Sequence, residues 1–125
     1  WLMLQQDQPD DYVIAAGETH TVRQFAMLAF REAGIELVWQ GTGVDEQRVD
    51  AATGRVLVRI DPRYYRPSEV ELLLGDPAKA NTKLGWRAEV GLPELVAMMV
   101  REDIQQAQRD VLCTRNGFAV NMPRE

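Results

Sequence analysis

The 125-residue chain has very little of several residue types that carry chemistry. It contains one cysteine, Cys113, and one histidine, His20. This excludes an internal disulfide framework, cysteine-rich metal sites and zinc motifs built on a pair of histidines. No apolar run approaches the ~18 residues that cross a bilayer, and no signal peptide is evident. We therefore expect no membrane segment and a reduced, cytoplasmic setting.

Basic residues are also scarce. The chain has 14 of them against 19 acidic residues, a net charge of -5. A broad basic surface for nucleic acid is therefore absent, and any anion-binding site has to be local. Hydrophobic residues make up 46% and charged residues 26%, which is ordinary for a globular protein. The length fits one domain.

Several well-known catalytic motifs are missing as well. The one serine, Ser68, does not lie in a nucleophile elbow. No tyrosine is followed four residues later by a lysine. The Gly41-Thr42-Gly43 segment has no third glycine and no helix start after it, so it fits a simple turn better than a dinucleotide-binding loop. Serine-triad and Walker-type chemistry are excluded for this chain alone.

The first third of the chain predicts the end of one helix, a strand and a second helix. Residues 1–6 resemble the last turns of an amphipathic helix, and the chain starts with tryptophan, so we expect a piece of a longer protein. The apolar run 12–16 predicts a short buried strand. Thr21 and Gln24 have the spacing of a capping box that begins a helix. Gly34 is the expected helix end.

The middle of the chain predicts two strands. Residues 35–40 and 55–60 alternate between apolar and polar side chains. The polar, acidic stretch 44–52 predicts a loop or a strand edge. We expect the two strands to be neighbours in a sheet, although the connection between them is long.

The last third predicts helices. Asp76 is a strong N-cap with proline after it, and Gly85 suits a left-handed helix end over which Trp86 folds back. A longer helix begins near residue 92 and carries one apolar stripe. The tail 111–125 has a weak pattern and is expected to be peripheral or frayed. Together these elements predict a small α/β layer with a modest core.

The most informative segment is 59–71, where three arginines lie within eight positions of an acidic protein. Arg66 precedes Pro67, which biases its backbone to an extended conformation and reduces what must be ordered on binding. Its guanidinium offers a planar fork for phosphate oxygens. Glu69 can accept from two neighbouring hydroxyls. The pair therefore suits a phosphate beside a ribose, and the alternative is a surface ion pair at i, i+3.

Other polar or apolar residues have simpler interpretations. His20 lies before a helix N-terminus but fits a solvated loop, and Arg23 opposes the helix dipole. Trp39 and Trp86 are expected to pack against the protein. The remaining assignments are core positions for Met98 and Met99, an inert thiol for Cys113, and a solvated acidic loop for Asp45, Glu46 and Asp50.

Longer stretches of the sequence resemble one enzyme family. The strings are WLMLQQ at 1–6, DYVIAAG at 11–17, VRQF at 22–25 and DPRYYRPSEV at 61–70. They continue with LGDPAKA at 74–80 and KLGW at 83–86. The last two strings are shared broadly among extended short-chain dehydrogenase/reductases. The arginine-rich string is more specific and is similar to the GDP-mannose 4,6-dehydratase family, over about residues 1–110.

The resemblance implies a lyase that binds NADP in an N-terminal Rossmann domain. Such enzymes oxidise C4 of the mannose, eliminate water across C5 and C6, and return the hydride to C6. Their catalytic Thr, Glu and Tyr-x-x-x-Lys do not map onto this chain, so no catalytic or cofactor-binding residue is assigned here. The Arg-Pro-x-Glu motif carries over to Arg66 and Glu69. It implies that Arg66 contacts the diphosphate and Glu69 the ribose hydroxyls of a GDP-sugar.

The expected organisation follows from this resemblance. Residues 1–110 are the C-terminal nucleotide-sugar-binding portion of an α/β short-chain dehydrogenase/reductase, and 111–125 are a peripheral tail. GDP-mannose is the expected substrate, and the full-length enzyme is expected to be a homo-oligomer. Two alternatives stay open. One is another sugar-nucleotide epimerase or dehydratase. The other is a free-standing interaction domain that binds a partner protein through the apolar residues 1–4.

Overall fold

The computed structural model describes residues 1–66 and 73–120. The predicted binding residue Glu69 lies outside these ranges. The described part is a small α/β structure with three helices, three strands and two short 3-10 turns. In chain order these are a 3-10 turn at Leu2–Gln5, α1 at Val22–Glu32, β1 at Leu37–Gln40, a 3-10 turn at Gly43–Asp45, β2 at Gln47–Asp50, β3 at Val56–Arg59, α2 at Ala78–Leu84 and α3 at Leu92–Arg115.

The three strands form an antiparallel meander in the order β1-β2-β3. Leu37 pairs with Asp50 at one end of β1, and Gln47 pairs with Arg59 across β2 and β3. The predicted strands at 35–40 and 55–60 are confirmed. Their predicted adjacency is wrong, because β2 lies between them. The stretch that contains β2 was expected to be a loop or a strand edge, and it supplies the central strand.

The apolar run 12–16 does not form the predicted strand. Val13 and Ile14 are each more than half exposed, so the described part of the chain gives them no buried environment. The run instead packs beside Gly75. A Cβ added to Gly75 would lie only 2.6 Å from the Cβ of Ala15. Thr19 Oγ1 also donates to the Leu73 carbonyl at 3.0 Å.

The helix α1 begins as the sequence predicts. The Thr21 hydroxyl oxygen accepts from the Gln24 backbone N–H at 3.0 Å, and the Gln24 side chain accepts from the Thr21 N–H at 2.9 Å. These bonds satisfy two backbone donors that a helix start leaves without partners. The capping box therefore fixes where α1 starts.

The helix α2 ends as predicted, but its N-cap is Pro77 rather than the predicted Asp76. Asp76 Oδ1 accepts from the Ala78 N–H at 2.9 Å, although the residue directly before the helix is Pro77. At the other end Gly85 adopts a left-handed conformation with φ of 64°. Its N–H and that of Trp86 both donate to the Ala80 carbonyl. Trp86 then contributes to an apolar hollow with Trp1, Leu2, Met3, Ile14 and Leu84.

The helix α3 packs against α1, and Arg101 Nε donates to Glu32 Oε1 at 2.7 Å where the two helices meet. It runs without a break to Arg115. The tail was expected to be peripheral or frayed from residue 111, and fraying is wrong for its first five residues, which continue the helix. Good helix formers such as leucine and arginine continue the helix there, and Asn116 and Gly117 end it.

The core of the described residues is very small. The buried apolar side chains among them are Val49, Ala80 and Val96. Met98 and Met99, predicted as core, are 54% and 45% exposed, so that prediction is wrong within this chain. The accessible surface is 10867 Å², whereas a compact protein of 14.2 kDa exposes about 6800 Å². Large apolar faces therefore remain uncovered.

Candidate functional site

The predicted anion site begins in a turn that follows β3. Asp61 accepts the Arg63 backbone N–H on Oδ1 at 2.9 Å, and its carbonyl accepts the Tyr64 N–H at 3.0 Å. A second turn follows, in which the Tyr65 N–H donates to the Pro62 carbonyl at 3.4 Å. An aspartate before a proline favours such turns, because its side chain mimics a backbone acceptor. The chain thus reaches Arg66 from two consecutive turns.

The side chains of this turn are tied to each other. Arg63 Nη2 donates to Asp61 Oδ2 at 2.6 Å, and Arg63 Nε lies 3.1 and 3.0 Å from the two carboxylate oxygens. The Arg63 guanidinium also lies 5.4 Å from the Tyr64 ring centroid. Hydrogen bonding to Arg63 lowers the pKa of Asp61 and raises the pKa of Arg63. The Arg63 charge is therefore engaged within the turn.

Of the two predicted binding residues, the structure describes one. Arg66 is exposed at the end of the turn. Glu69 lies outside the described residues, so the proposed pairing of the two side chains stays a prediction. Tyr64 and Tyr65 beside Arg66 are 77% and 49% exposed. An exposed arginine that follows two exposed tyrosines in sequence is chemically suited to an anionic ligand that also carries flat groups.

A second cluster of charged residues surrounds Trp39. Arg23 Nη2 donates to both oxygens of Glu46, at 2.8 and 3.0 Å, and its guanidinium carbon lies 4.0 Å from the Trp39 ring centroid. Arg48 from β2 also contacts this ring. The positive charge of Arg23 is unfavourable near the N-terminus of α1, and the Glu46 carboxylate and the Trp39 ring compensate for it. Its placement is explained by packing of α1 on the sheet.

Sequence reasoning missed Arg48. Its side chain is 1% exposed, and Nε and Nη1 have no hydrogen-bond partner among the described residues. Burial lowers the pKa of Arg48, and repulsion by Arg23 lowers it further, while Glu46 acts in the opposite direction. A polar stretch gives no sign that its arginine is buried. Only the central position of β2 in the sheet accounts for it.

A third cluster fixes the segment before residue 12 to α2. The carboxylate of Asp10 accepts from Lys79 Nζ at 2.5 Å and from Lys83 Nζ at 3.0 Å. Lys79 Nζ also lies 5.3 Å from the Tyr12 ring centroid. The two lysine hydrogen bonds hold the pKa of Asp10 well below its usual range. The i, i+4 spacing of the lysines places both on one helix face, which is a signal the sequence does contain.

The other candidates have ordinary surroundings. His20 Nε2 lies 3.3 Å from Glu18 Oε2. Asp50 accepts from Thr53 Oγ1 at 2.6 Å and from the Ala52 N–H at 2.9 Å. Cys113 is half-buried. No group of three potential metal-ligating side chains occurs in the part of the chain that the structure describes.

The described residues also contain an open cleft of about 550 Å³ where α1 ends and β1 begins. Its lining is mostly apolar, with Met27, Leu28, Ile35 and Leu37 beside Arg31 and Glu36. None of the predicted site residues lines it. Within 1–66 and 73–120 no helix has the length and apolar character needed to cross a membrane.

Comparison with known proteins identifies what the chain is similar to. A family model described as GDP-mannose 4,6 dehydratase matches residues 1–99. A GDP-mannose 4,6-dehydratase of Yersinia enterocolitica is 48% identical over 135 aligned positions, which cover 100% of this chain and 36% of the relative. One from Vibrio cholerae is 48% identical, with coverage of 96% and 35%.

A third relative provides a similar match. The GDP-mannose 4,6-dehydratase of Sinorhizobium fredii is 53% identical over 104 positions, which cover 83% of this chain and 30% of the relative. The chain thus spans about a third of the length of the curated relatives it matches. The matched region includes the turn at 61–66 and both predicted binding residues.

Proposed function

The chain belongs to the GDP-mannose 4,6-dehydratase family, and from this membership we propose that it forms the nucleotide-sugar-binding portion of a longer dehydratase. That enzyme converts GDP-mannose to GDP-4-keto-6-deoxymannose with NADP and has an extended short-chain dehydrogenase/reductase fold. The observation that carries the proposal is the family match over residues 1–99. This match extends through the arginine-rich turn and beyond it.

In this proposal Arg66 binds the diphosphate of the GDP-sugar and Glu69 accepts from its ribose hydroxyls. The exposure of Arg66 supports this role, because a residue at the protein surface can meet a ligand. A bidentate guanidinium contact suits paired phosphate oxygens.

The exposed apolar surfaces support an origin in a larger enzyme. Val13 and Ile14 are 53% and 54% exposed, although their sequence is typical of a buried strand. Leu95, Met98 and Met99 on α3 are also about half exposed. We assign these faces to contacts with the rest of the dehydratase. Burial there is worth about 25 cal/mol for each Å² of apolar surface.

The residues of this chain do not form the NADP site in this proposal. Among the described residues, the Gly41-Thr42-Gly43 segment leads into a 3-10 turn rather than a helix, so it lacks the helix N-terminus that receives a pyrophosphate. NADP supplies hydride transfer when it is bound by the remaining two thirds of the enzyme, which also provides the catalytic groups. Residues 1–110 bind and orient the nucleotide-sugar, 111–125 are peripheral, and the full enzyme is a cytoplasmic homo-oligomer.

The proposal is tested by substituting Arg66 in the full-length protein. Arg66→Ala removes a charged hydrogen-bond donor, which is worth about 1.5–3 kcal/mol. The dissociation constant for GDP should therefore rise by about 10- to 150-fold, as measured by calorimetry. Arg109→Ala is the matched control, because Arg109 is an exposed arginine on α3 and its loss should leave GDP binding unchanged. Equal affinity of wild type and Arg66→Ala would show that the site assignment is wrong.

The two alternatives are separated by the choice of ligand. Competition between GDP-sugars and UDP-sugars distinguishes this dehydratase from another sugar-nucleotide epimerase or dehydratase. A folded protein that ignores both classes of nucleotide-sugar would favour an interaction domain that uses residues 1–4. Trp1 and Leu4 are each 84% exposed, which is the observation behind this alternative.

A further inference from the structure

The turn before Arg66 has more internal bonding than a connecting loop requires. The carboxylate of Asp61 accepts the Arg63 backbone N–H and holds the Arg63 guanidinium with both oxygens. The backbone carbonyl of the same residue accepts the Tyr64 N–H. Asp61 is 38% exposed on its side chain, so these bonds are not forced by deep burial. A short exposed segment is thereby held in one conformation.

We propose that Asp61 is a positioning residue for Arg66, and this inference rests on the proposed role of Arg66 in binding GDP. Asp61 closes the turn through its Oδ1 atom, and the Arg63 fork fixes the orientation of the carboxylate. The turn sets the direction in which the backbone leaves toward Arg66. Preorganisation of this kind lowers the entropy lost when the ligand binds.

The chemistry of Asp61 predicts how its variants differ. In Asp61→Ala the acceptor for the Arg63 N–H is lost, and the turn is free to open. In Asp61→Asn an amide oxygen still accepts that N–H, because asparagine forms the same turn. We therefore expect Asp61→Ala to raise the dissociation constant for GDP by about fivefold to tenfold. Asp61→Asn should stay within about twofold of wild type.

A positioning role is separated from a general structural role by a double-mutant cycle in the full-length protein. If Asp61 acts through Arg66, Asp61→Ala has no further effect on GDP binding once Arg66→Ala is present. A residue that only stabilises the fold would weaken binding in both backgrounds. Binding of guanosine, which lacks the diphosphate, should be the same in wild type and Asp61→Ala.

The experiment measures GDP and guanosine binding by calorimetry for wild type, Asp61→Ala, Asp61→Asn, Arg66→Ala and the double variant. Three results together support the inference. GDP affinity falls in Asp61→Ala, it is close to wild type in Asp61→Asn, and the double variant binds GDP no more weakly than Arg66→Ala. Wild-type GDP affinity in Asp61→Ala, or full additivity, overturns it and leaves the proposed function intact. An unchanged Arg66→Ala overturns the proposed site itself.

Should Asp61→Ala fail to fold, Arg63→Ala provides the second variant. It frees the Asp61 carboxylate but keeps the backbone N–H that closes the turn. GDP binding should weaken by about twofold to threefold, and again only when Arg66 is present. An Arg63→Ala effect that persists in the Arg66→Ala background would contradict the inference.

Discussion

Two glycines in the β1–β2 connection allow a matched test of backbone geometry. Gly41 and Gly43 both have positive φ, of 78° and 61°. They differ in their surroundings. A Cβ on Gly41 would overlap the carbonyl oxygen of Asp45, whereas a Cβ on Gly43 would meet nothing within 4 Å. Alanine at the two positions therefore has the same conformational penalty but a different steric one.

The expected free energies follow from these two terms. A left-handed conformation costs alanine about 1–2 kcal/mol. Alanine also lowers the entropy of the unfolded chain, which offsets this cost by about 0.4–1 kcal/mol. Gly43→Ala should thus destabilise the sheet by about 1 kcal/mol. Gly41→Ala adds an overlap with backbone that cannot rotate away, which costs about 1–3 kcal/mol more. The two variants should differ by about 2 kcal/mol.

Amide hydrogen exchange over β1 and β2 is the appropriate measurement, because it reports the local free energy of opening in the full-length protein. The Gly41→Ala variant should exchange about 30-fold faster than Gly43→Ala in these strands. Equal exchange rates would refute the reasoning, since the steric term would then be absent. A loss of GDP binding in Gly43→Ala with unchanged exchange would refute the simple-turn interpretation.

Three further perturbations test other parts of the structure. Asp10→Asn removes the carboxylate held by two lysines of α2. Because the pKa of Asp10 in the folded protein lies below its ordinary value, the ionised carboxylate stabilises the fold above about pH 4, and this stabilisation is lost as the pH falls further. The stability difference between wild type and Asp10→Asn in urea should therefore be constant from about pH 5 to 7 and shrink steadily as the pH falls from about 4 to 2; a difference that stays constant over that acid range would contradict this. Gly75→Ala brings a Cβ to 2.6 Å from that of Ala15 and should lower stability by about 1–3 kcal/mol, whereas an unchanged urea midpoint would mean that the two segments do not pack as described. Thr21→Ala removes the acceptor for the Gln24 N–H and should destabilise α1 by about 1 kcal/mol, measured by exchange of its first-turn amides, with Thr21→Ser as the control that should retain the cap.

Features that depend on neighbours in sequence could be predicted. The capping box at Thr21 and the left-handed end at Gly85 need only residues within one helical turn, so spacing and residue type determine them. The alternation that marks β1 and β3 is local for the same reason. The turn at Asp61 belongs to this class, since an aspartate before a proline already favours it.

Features that depend on distant neighbours could not be predicted. The strand β2 is polar in sequence, and Arg48 is buried because β2 is the central strand, where the Trp39 ring of the neighbouring β1 contacts its side chain. Conversely, the run 12–16 has the composition of a buried strand, yet the described residues provide no strand beside it. An apolar pattern indicates that a segment is buried, but it does not indicate which other residues cover it. The ligand roles of Arg66 and Glu69 likewise stay predictions, because they depend on a bound partner.

The order of the strands has a consequence for how the chain folds. Because β1, β2 and β3 are spatial neighbours in the same order as in the sequence, every contact of the sheet is made between Leu37 and Arg59. Hairpins of this kind close in about 1–10 μs. The ion pair between Glu32 and Arg101 spans 69 residues and requires a much longer loop to close. During synthesis on the ribosome, the meander should therefore be complete before α3 has been translated.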